Sequence, residues 1–175
     1  TALEMRAADK IARWLADKGI KTGFGIIGGG NVVLWDAIAS LGETELVCCH
    51  HEQAAVMAAA YYARSSESVG FALVTTGAGS ANAITGAMAA HMDGIPVLII
   101  SGNEASKYMD KPTRIWGVQG YDSSGVADRF TKWGVRAYEE QTAVKMLDPL
   151  YGMARLCPQG PVWLDIPKDV QGAEL

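Results

Sequence analysis

The chain carries short apolar runs that do not alternate with polar residues, at 46–49, 70–75, 96–101 and 161–166. Strands of that kind are covered on both faces, which requires a parallel sheet with helices above and below it. Residues 24–27 and 133–137 read as two further strands. Helical patterns separate them. Leu3, Ala7, Ala8, Ile11 and Leu15 share one helical face, and Gly19 is placed to end that helix. Asn31 can cap a second helix, with Leu34, Ile38 and Leu41 facing inward and Gly42 at its end. A third helix is expected over residues 52–64, apolar almost all round and therefore buried. A fourth runs from the glycine turn at 77–79 to about residue 92, and another covers 144–156. The expected fold class is α/β: three layers, α/β/α, around a six-stranded parallel sheet.

A length of 175 residues fits one domain with a sizeable core. Net charge is −4 and no basic cluster occurs, which argues against nucleic acid or a membrane surface as partner. Charged residues make up only 19%, so some apolar surface is left for a protein partner. The longest apolar stretch, 95–100, is far too short to span a bilayer. No signal peptide is visible. Cys48, Cys49 and Cys157 form no CxxC pair, which suits a reducing, cytoplasmic compartment. The first residue is Thr1 and not Met, as expected of a processed or excised piece.

Ligands of open parallel sheets bind beyond the C-terminal ends of the strands. Three loops fall there: Gly28-Gly29-Gly30, His50-His51-Glu52, and Thr75-Thr76-Gly77-Ala78-Gly79. Each alone could be only a tight turn; three on one edge suggest a site. Gly23-Phe24-Gly25-Ile26-Ile27-Gly28 satisfies the GxGxxG pattern, but its first glycines fall inside the strand and not after it, which argues against a dinucleotide site. No Walker loop and no GxSxG elbow occurs, and Ser80 reads as a helix cap. His50, His51 and His91 lack further ligands at metal-binding spacing, so no metal site is expected on this chain. Residues 102–124 mix Lys107, Asp110, Lys111 and Arg114 with Tyr108, Trp116 and Tyr121; a connection of that length is usually functional or mobile.

Glu52 stands where an apolar strand runs into the alanine-rich third helix. Such a carboxylate sits at the edge of the core, where it is costly unless paired. It can simply compensate the helix dipole. It can also share a proton with a ligand, because burial favours the neutral acid and the helix N-terminus the anion.

Taken together, these loops resemble the N-terminal pyrimidine-binding domain of thiamine-diphosphate enzymes, above all the acetolactate synthase group. The family's Phe-Gly-x-Pro-Gly-Gly loop is similar to Phe24-Gly25-Ile26-Ile27-Gly28-Gly29, and its His-Glu-Gln-x-Ala to His51-Glu52-Gln53-Ala54-Ala55. Its Gly-Tyr-Ala-Arg resembles Tyr61-Tyr62-Ala63-Arg64, and its Thr-Ser-Gly-Pro-Gly-x-x-Asn resembles Thr75-Thr76-Gly77-Ala78-Gly79-Ser80-Ala81-Asn82. Asp93-Gly94-Ile95-Pro96 and the closing run 160–171 resemble further family segments. Ile27 and Ala78 stand where the family has prolines, and both neighbours of Gln119 depart from the family's Phe-Gln-Glu loop.

The resemblance implies that residues 1–175 are a single N-terminal pyrimidine-binding domain, with the middle and diphosphate-binding domains outside this chain. It implies Glu52 and Gln119 as catalytic residues, Glu52 at N1′ of the aminopyrimidine and Gln119 toward substrate. Gly28, Gly29, Glu52, Thr76, Gly77, Ala78 and Asn82 would bind the cofactor, and His51 could support Glu52. The cofactors implied are thiamine diphosphate and Mg2+, the ion held by the missing diphosphate-binding domain of a neighbouring subunit in a homodimer or higher oligomer. The implied activity is transferase or lyase chemistry on 2-oxo acids: decarboxylation of pyruvate and carboligation. Alternatives are a simple 2-oxo-acid decarboxylase or carboligase, or a non-catalytic dimerisation or regulatory domain. The chain alone is expected to be inactive.

Overall fold

A computed structural model describes residues 5–175. The chain alternates as α1 (Ala7–Asp17), β1 (Thr22–Gly25), α2 (Val32–Leu41), β2 (Glu45–Cys48), α3 (Glu52–Ser66), β3 (Gly70–Val74), α4 (Ala78–Met92) and β4 (Val97–Asn103). After a long connection come α5 (Ser123–Ala127), β5 (Gly134–Arg136), α6 (Glu140–Lys145), α7 (Leu147–Arg155), β6 (Val162–Pro167) and α8 (Lys168–Gly172). The strands form one six-stranded sheet in the order β2-β1-β3-β4-β6-β5, and every pairing is parallel. The sequence-based fold class is therefore correct, and Gly23 and Gly25 do lie inside β1. No helix among the described residues is long and apolar enough to cross a membrane.

Alternate residues of each central strand enter two separate cores. Phe71, Leu73, Leu98 and Ile100 pack with Ile11, Leu15, Leu34, Ile38, Leu147 and Leu150 beneath α1, α2 and α7. Ala72, Val74, Val97, Ile99 and Trp163 pack with Val56, Ala59, Ala83 and Ala87 beneath α3 and α4. The helix side of this second layer is built largely of alanines: Ala59, Ala60 and Ala63 on α3, and Ala83, Ala87 and Ala90 on α4. A Cβ on Gly86 would lie 2.6 Å from that of Val56, and one on Gly70 would lie 2.2 Å from the Ala59 carbonyl oxygen. α3 can approach both α4, at Gly86, and β3, at Gly70, this closely only because neither position carries a side chain.

Several local expectations need correction. Leu3 lies outside the described residues. Leu41, expected to face inward, is 37% exposed, because the helix closes one residue later at Gly42 with φ of 71°. Asn31 does not cap α2 with its side chain; it is fully buried and its amide serves the preceding glycine loop instead. The single helix over 144–156 is two, α6 and α7, meeting at Met146. Pro149 explains the break, since its ring would meet the carbonyl of Lys145 in a continuous helix. The third helix is buried along one face only. Ala54 and Tyr61 on its other face are exposed, Tyr61 to 62%, and the adjoining face of α4 exposes Met88 and Met92, the latter to 74%.

Candidate active site

Because all strands run the same way, the segments after β1, β2, β3, β4 and β6 emerge on one edge of the sheet. The glycine loop after β1 is fixed from several sides. Asn31 Oδ1 accepts from Gly28 N at 2.8 Å, and Asn31 Nδ2 donates to the Ile26 carbonyl at 3.0 Å. Gly30 N donates to Thr75 Oγ1 at 3.1 Å, and the Gly30 carbonyl accepts from Gln171 Nε2 at 2.7 Å. A Cβ on Gly102 would lie 1.9 Å from that same Gly30 oxygen, so β4 supplies a glycine where the two backbones meet. Gly29 has no atom near the place of a Cβ.

Gly28, Gly29, Gly30, Thr75, Thr76, Asn103, Glu104, Val118, Gln119 and Lys168 line a cavity of about 330 Å3. The structure thus brings together four sequence-predicted residues: Gly28, Gly29, Thr76 and Gln119. Gln119 Nε2 donates to the Thr76 carbonyl at 2.8 Å, and Gly77, at φ +70°, passes beneath the Gln119 backbone with no room for a Cβ. Ala78 begins α4 and is exposed, outside the cavity. A slightly larger hollow of about 360 Å3, with Arg64, Glu67, Asp93 and Arg155 in its wall, lies at the opposite ends of the strands and holds none of the predicted residues.

Glu52 and Asn82 sit on the far side of Thr75 from this cavity. A Cβ on Gly28 would lie 2.6 Å from Thr75 Oγ1; one on Gly79 would lie 2.7 Å from Thr75 Cγ2 and 3.2 Å from Glu52 Oε1. The Thr75 side chain therefore stands between the glycine loop and the carboxylate. Glu52 is the first residue of α3 and only 8% exposed. Asn82 Nδ2 donates to its Oε2 at 3.0 Å, leaving Oε1 toward Gly79. His51 does not touch Glu52 through a hydrogen bond; its Nδ1 accepts from Gln53 N at 3.2 Å and caps α3. Ser80, read as a cap, is the third residue of α4; its Oγ lies within hydrogen-bond distance of the Gly77 carbonyl at 3.0 Å and of Tyr121 Oη at 3.1 Å. Burial pushes the Tyr121 phenol up from its ordinary value, against the hydrogen bond from Ser80 that lowers it.

Glu104, Lys168 and Asn103 were missed by sequence reasoning. Their signal was position: Glu104 directly follows β4 and Lys168 directly follows β6, both at the ligand-binding edge. Asn103 Nδ2 donates to Asp165 Oδ2 at 2.7 Å and to the Tyr121 carbonyl at 3.1 Å, tying the long connection to β6. Asp165 is fully buried; it accepts from Ser101 Oγ at 2.6 Å and from Arg136 Nε at 3.2 Å. Among the described residues, no three His, Cys, Asp or Glu side chains gather in a way that could hold a metal ion.

A parallel sheet with a glycine loop after β1, a buried glutamate at the mouth of α3 and a second glycine turn after β3 makes this an α/β domain with a candidate ligand site at the C-terminal edge of its strands. The family model described as "Thiamine pyrophosphate enzyme, N-terminal TPP binding domain" matches residues 5–126, and the chain belongs to that family. It is 36% identical over 166 residues to the acetolactate synthase large subunit of Haemophilus influenzae, 34% identical over 166 residues to acetolactate synthase isozyme 3 large subunit of Escherichia coli, and 32% identical over 165 residues to the acetolactate synthase large subunit of Lactococcus lactis. These matches cover 94–95% of this chain but 28% of each relative. The chain thus spans under a third of the length of these relatives.

Proposed function

We propose that this domain supplies the pyrimidine side of a thiamine-diphosphate site in an enzyme that decarboxylates and condenses 2-oxo acids, as an acetolactate synthase does. The observation that carries the reading is the state of Glu52: buried at a helix N-terminus, with Oε2 held by Asn82 and Oε1 turned to a residue without a side chain. That donor set fits an aminopyrimidine, whose ring nitrogen needs one carboxyl oxygen able to give or take a proton. When bound, thiamine diphosphate supplies the carbanion that adds to a 2-oxo acid.

The chain's own residues divide the remaining work. Oε1 of Glu52 would hold the proton shared with the pyrimidine N1′, while Asn82 keeps the carboxylate from turning away. Gly28, Gly29, Thr76, Gly77 and Ala78 would present backbone to the cofactor, and Gln119 would face substrate. The diphosphate and its Mg2+ would be held by a domain outside this chain. The exposed methionines and Tyr61 on α3 and α4 support association with a second copy, as a homodimer or higher oligomer. Free thiols at Cys48, Cys49 and Cys157 support a reducing, cytoplasmic setting.

The test is the full-length protein with pyruvate and the cofactor. Acetolactate as product supports the synthase reading; acetaldehyde assigns a simple decarboxylase on the same scaffold. Glu52→Gln is expected to leave folding intact and to lower turnover by about 100-fold or more. Wild-type turnover in that variant would remove the role given to Glu52.

A further inference from the structure

We propose that Glu104 is a positioning residue that sets the place of Gln119 at the substrate end of the cavity; this rests on the cofactor reading above. The loop bearing Gln119 closes on itself. Trp116 N donates to the Gly120 carbonyl at 2.8 Å, and Gly120 N donates back to the Trp116 carbonyl at 2.7 Å. Gly117, Val118 and Gln119 form the tip between them. Backbone N–H groups at such a tip need acceptors. Glu104 Oε1 accepts from both Val118 N, at 3.3 Å, and Gln119 N, at 3.4 Å.

Successive backbone N–H groups converging on one anion form a nest. Here the nest is filled by the protein's own carboxylate. The fit is close. Gly117 has φ of 57°, and a Cβ on it would lie 2.8 Å from Glu104 Cδ; a Cβ on Gly120 would lie 2.8 Å from Glu104 Cγ. The loop can wrap this side chain only because both positions are glycine. Glu104 Oε2 accepts from Lys168 Nζ at 3.2 Å, and the Glu104 side chain is 8% exposed. One carboxylate therefore joins the end of β4, the Gln119 loop and the start of α8. Gln119 reaches from this anchor to the Thr76 carbonyl, so the residue is held at its backbone N–H and at its side-chain Nε2.

Two substitutions separate this role from a plain ion pair with Lys168. Glu104→Gln keeps an oxygen for the two N–H groups and gives up the ion pair. Glu104→Met fills a similar volume and accepts nothing. In the full-length protein, Glu104→Met is expected to bind thiamine diphosphate as the wild type does. Its kcat/KM for the 2-oxo acid should fall by about 10- to 100-fold, mainly through KM, and amide exchange at Val118 and Gln119 should accelerate. Glu104→Gln should restore most of both. Wild-type kcat/KM and exchange in Glu104→Met overturn the proposal, as does an equal loss in both variants. If Glu104→Met does not fold, Gly117→Ala displaces the same loop and must show the same loss; wild-type behaviour there overturns the proposal equally. Failure of the unmodified protein to bind thiamine diphosphate would strike the cofactor reading instead, while amide exchange would still report on Glu104.

Discussion

Asn82 Nδ2 donates to Glu52 Oε2 at 3.0 Å, joining the first turn of α3 to the second turn of α4, two helices that leave different strands. The bond makes the carboxylate's orientation a property of the α3–α4 pair and not of its own helix. It also decides which oxygen is free.

Asn82→Ala removes that partner and lets the carboxylate rotate. A hydrogen bond to a charged group contributes about 1.5–3 kcal/mol, so cofactor affinity of the full-length protein should weaken by about tenfold or more. Asn82→Asp sets a second carboxylate beside the first and should weaken it further. Titration calorimetry with thiamine diphosphate reads both; unchanged affinity in Asn82→Ala would show that Glu52 is held by something else.

Arg136 is the counter-charge of the fully buried Asp165 and also pairs with Asp110 and Asp122. Its guanidinium lies over the Trp116 ring, 4.7 Å from the centroid. Arg136→Met should destabilise the protein by about 3–5 kcal/mol, the usual cost of leaving a buried charge without its partner. Adding Asp165→Asn should recover part of the loss. Denaturant unfolding measures the set, and a double variant no more stable than the single one would contradict the pairing.

Asp169, in the first turn of α8, accepts from Ser106 N at 3.0 Å and Ser106 Oγ at 2.5 Å. Burial raises its carboxyl, but these bonds and the nearby backbone N–H groups outweigh it and hold the group below the ordinary carboxylate value. A carboxylate depressed in the folded state contributes stability above the unfolded pKa of about 4, and loses it as pH falls through the lower folded value. Asp169→Asn should therefore be less stable than wild type at neutral pH, with the gap closing below about pH 4. Urea midpoints at a series of pH values test this; a gap independent of pH would show that Asp169 does not act through its charge.

The sheet was legible because its strands are continuous apolar runs, and the helices because of their periodicity and the left-handed glycines Gly19 and Gly42. Gly28, Gly29 and Thr76 were legible as neighbours because a parallel sheet delivers their loops to one edge, whereas Gln119 was reached only through the family resemblance. What escaped were side chains whose partners lie far off in sequence. Asn31 looks like a cap from its neighbours, yet its amide is claimed by the loop before it. Glu104 reads as one more charge in a long connection, and its burial depends on a hairpin tip formed fifteen residues later. Pro149 carried a usable signal for the break between α6 and α7, but the apolar pattern running through it masked the boundary.

The Gly28–Asn31 segment is braced by Thr75, Gly102 and Gln171, which come from three separate stretches of chain. A small molecule meeting this edge finds a wall already set. Little freedom of the glycine loop remains to be frozen on binding, so in the proposed site discrimination at this wall would come from the shape of the ring and not from adjustment of the loop.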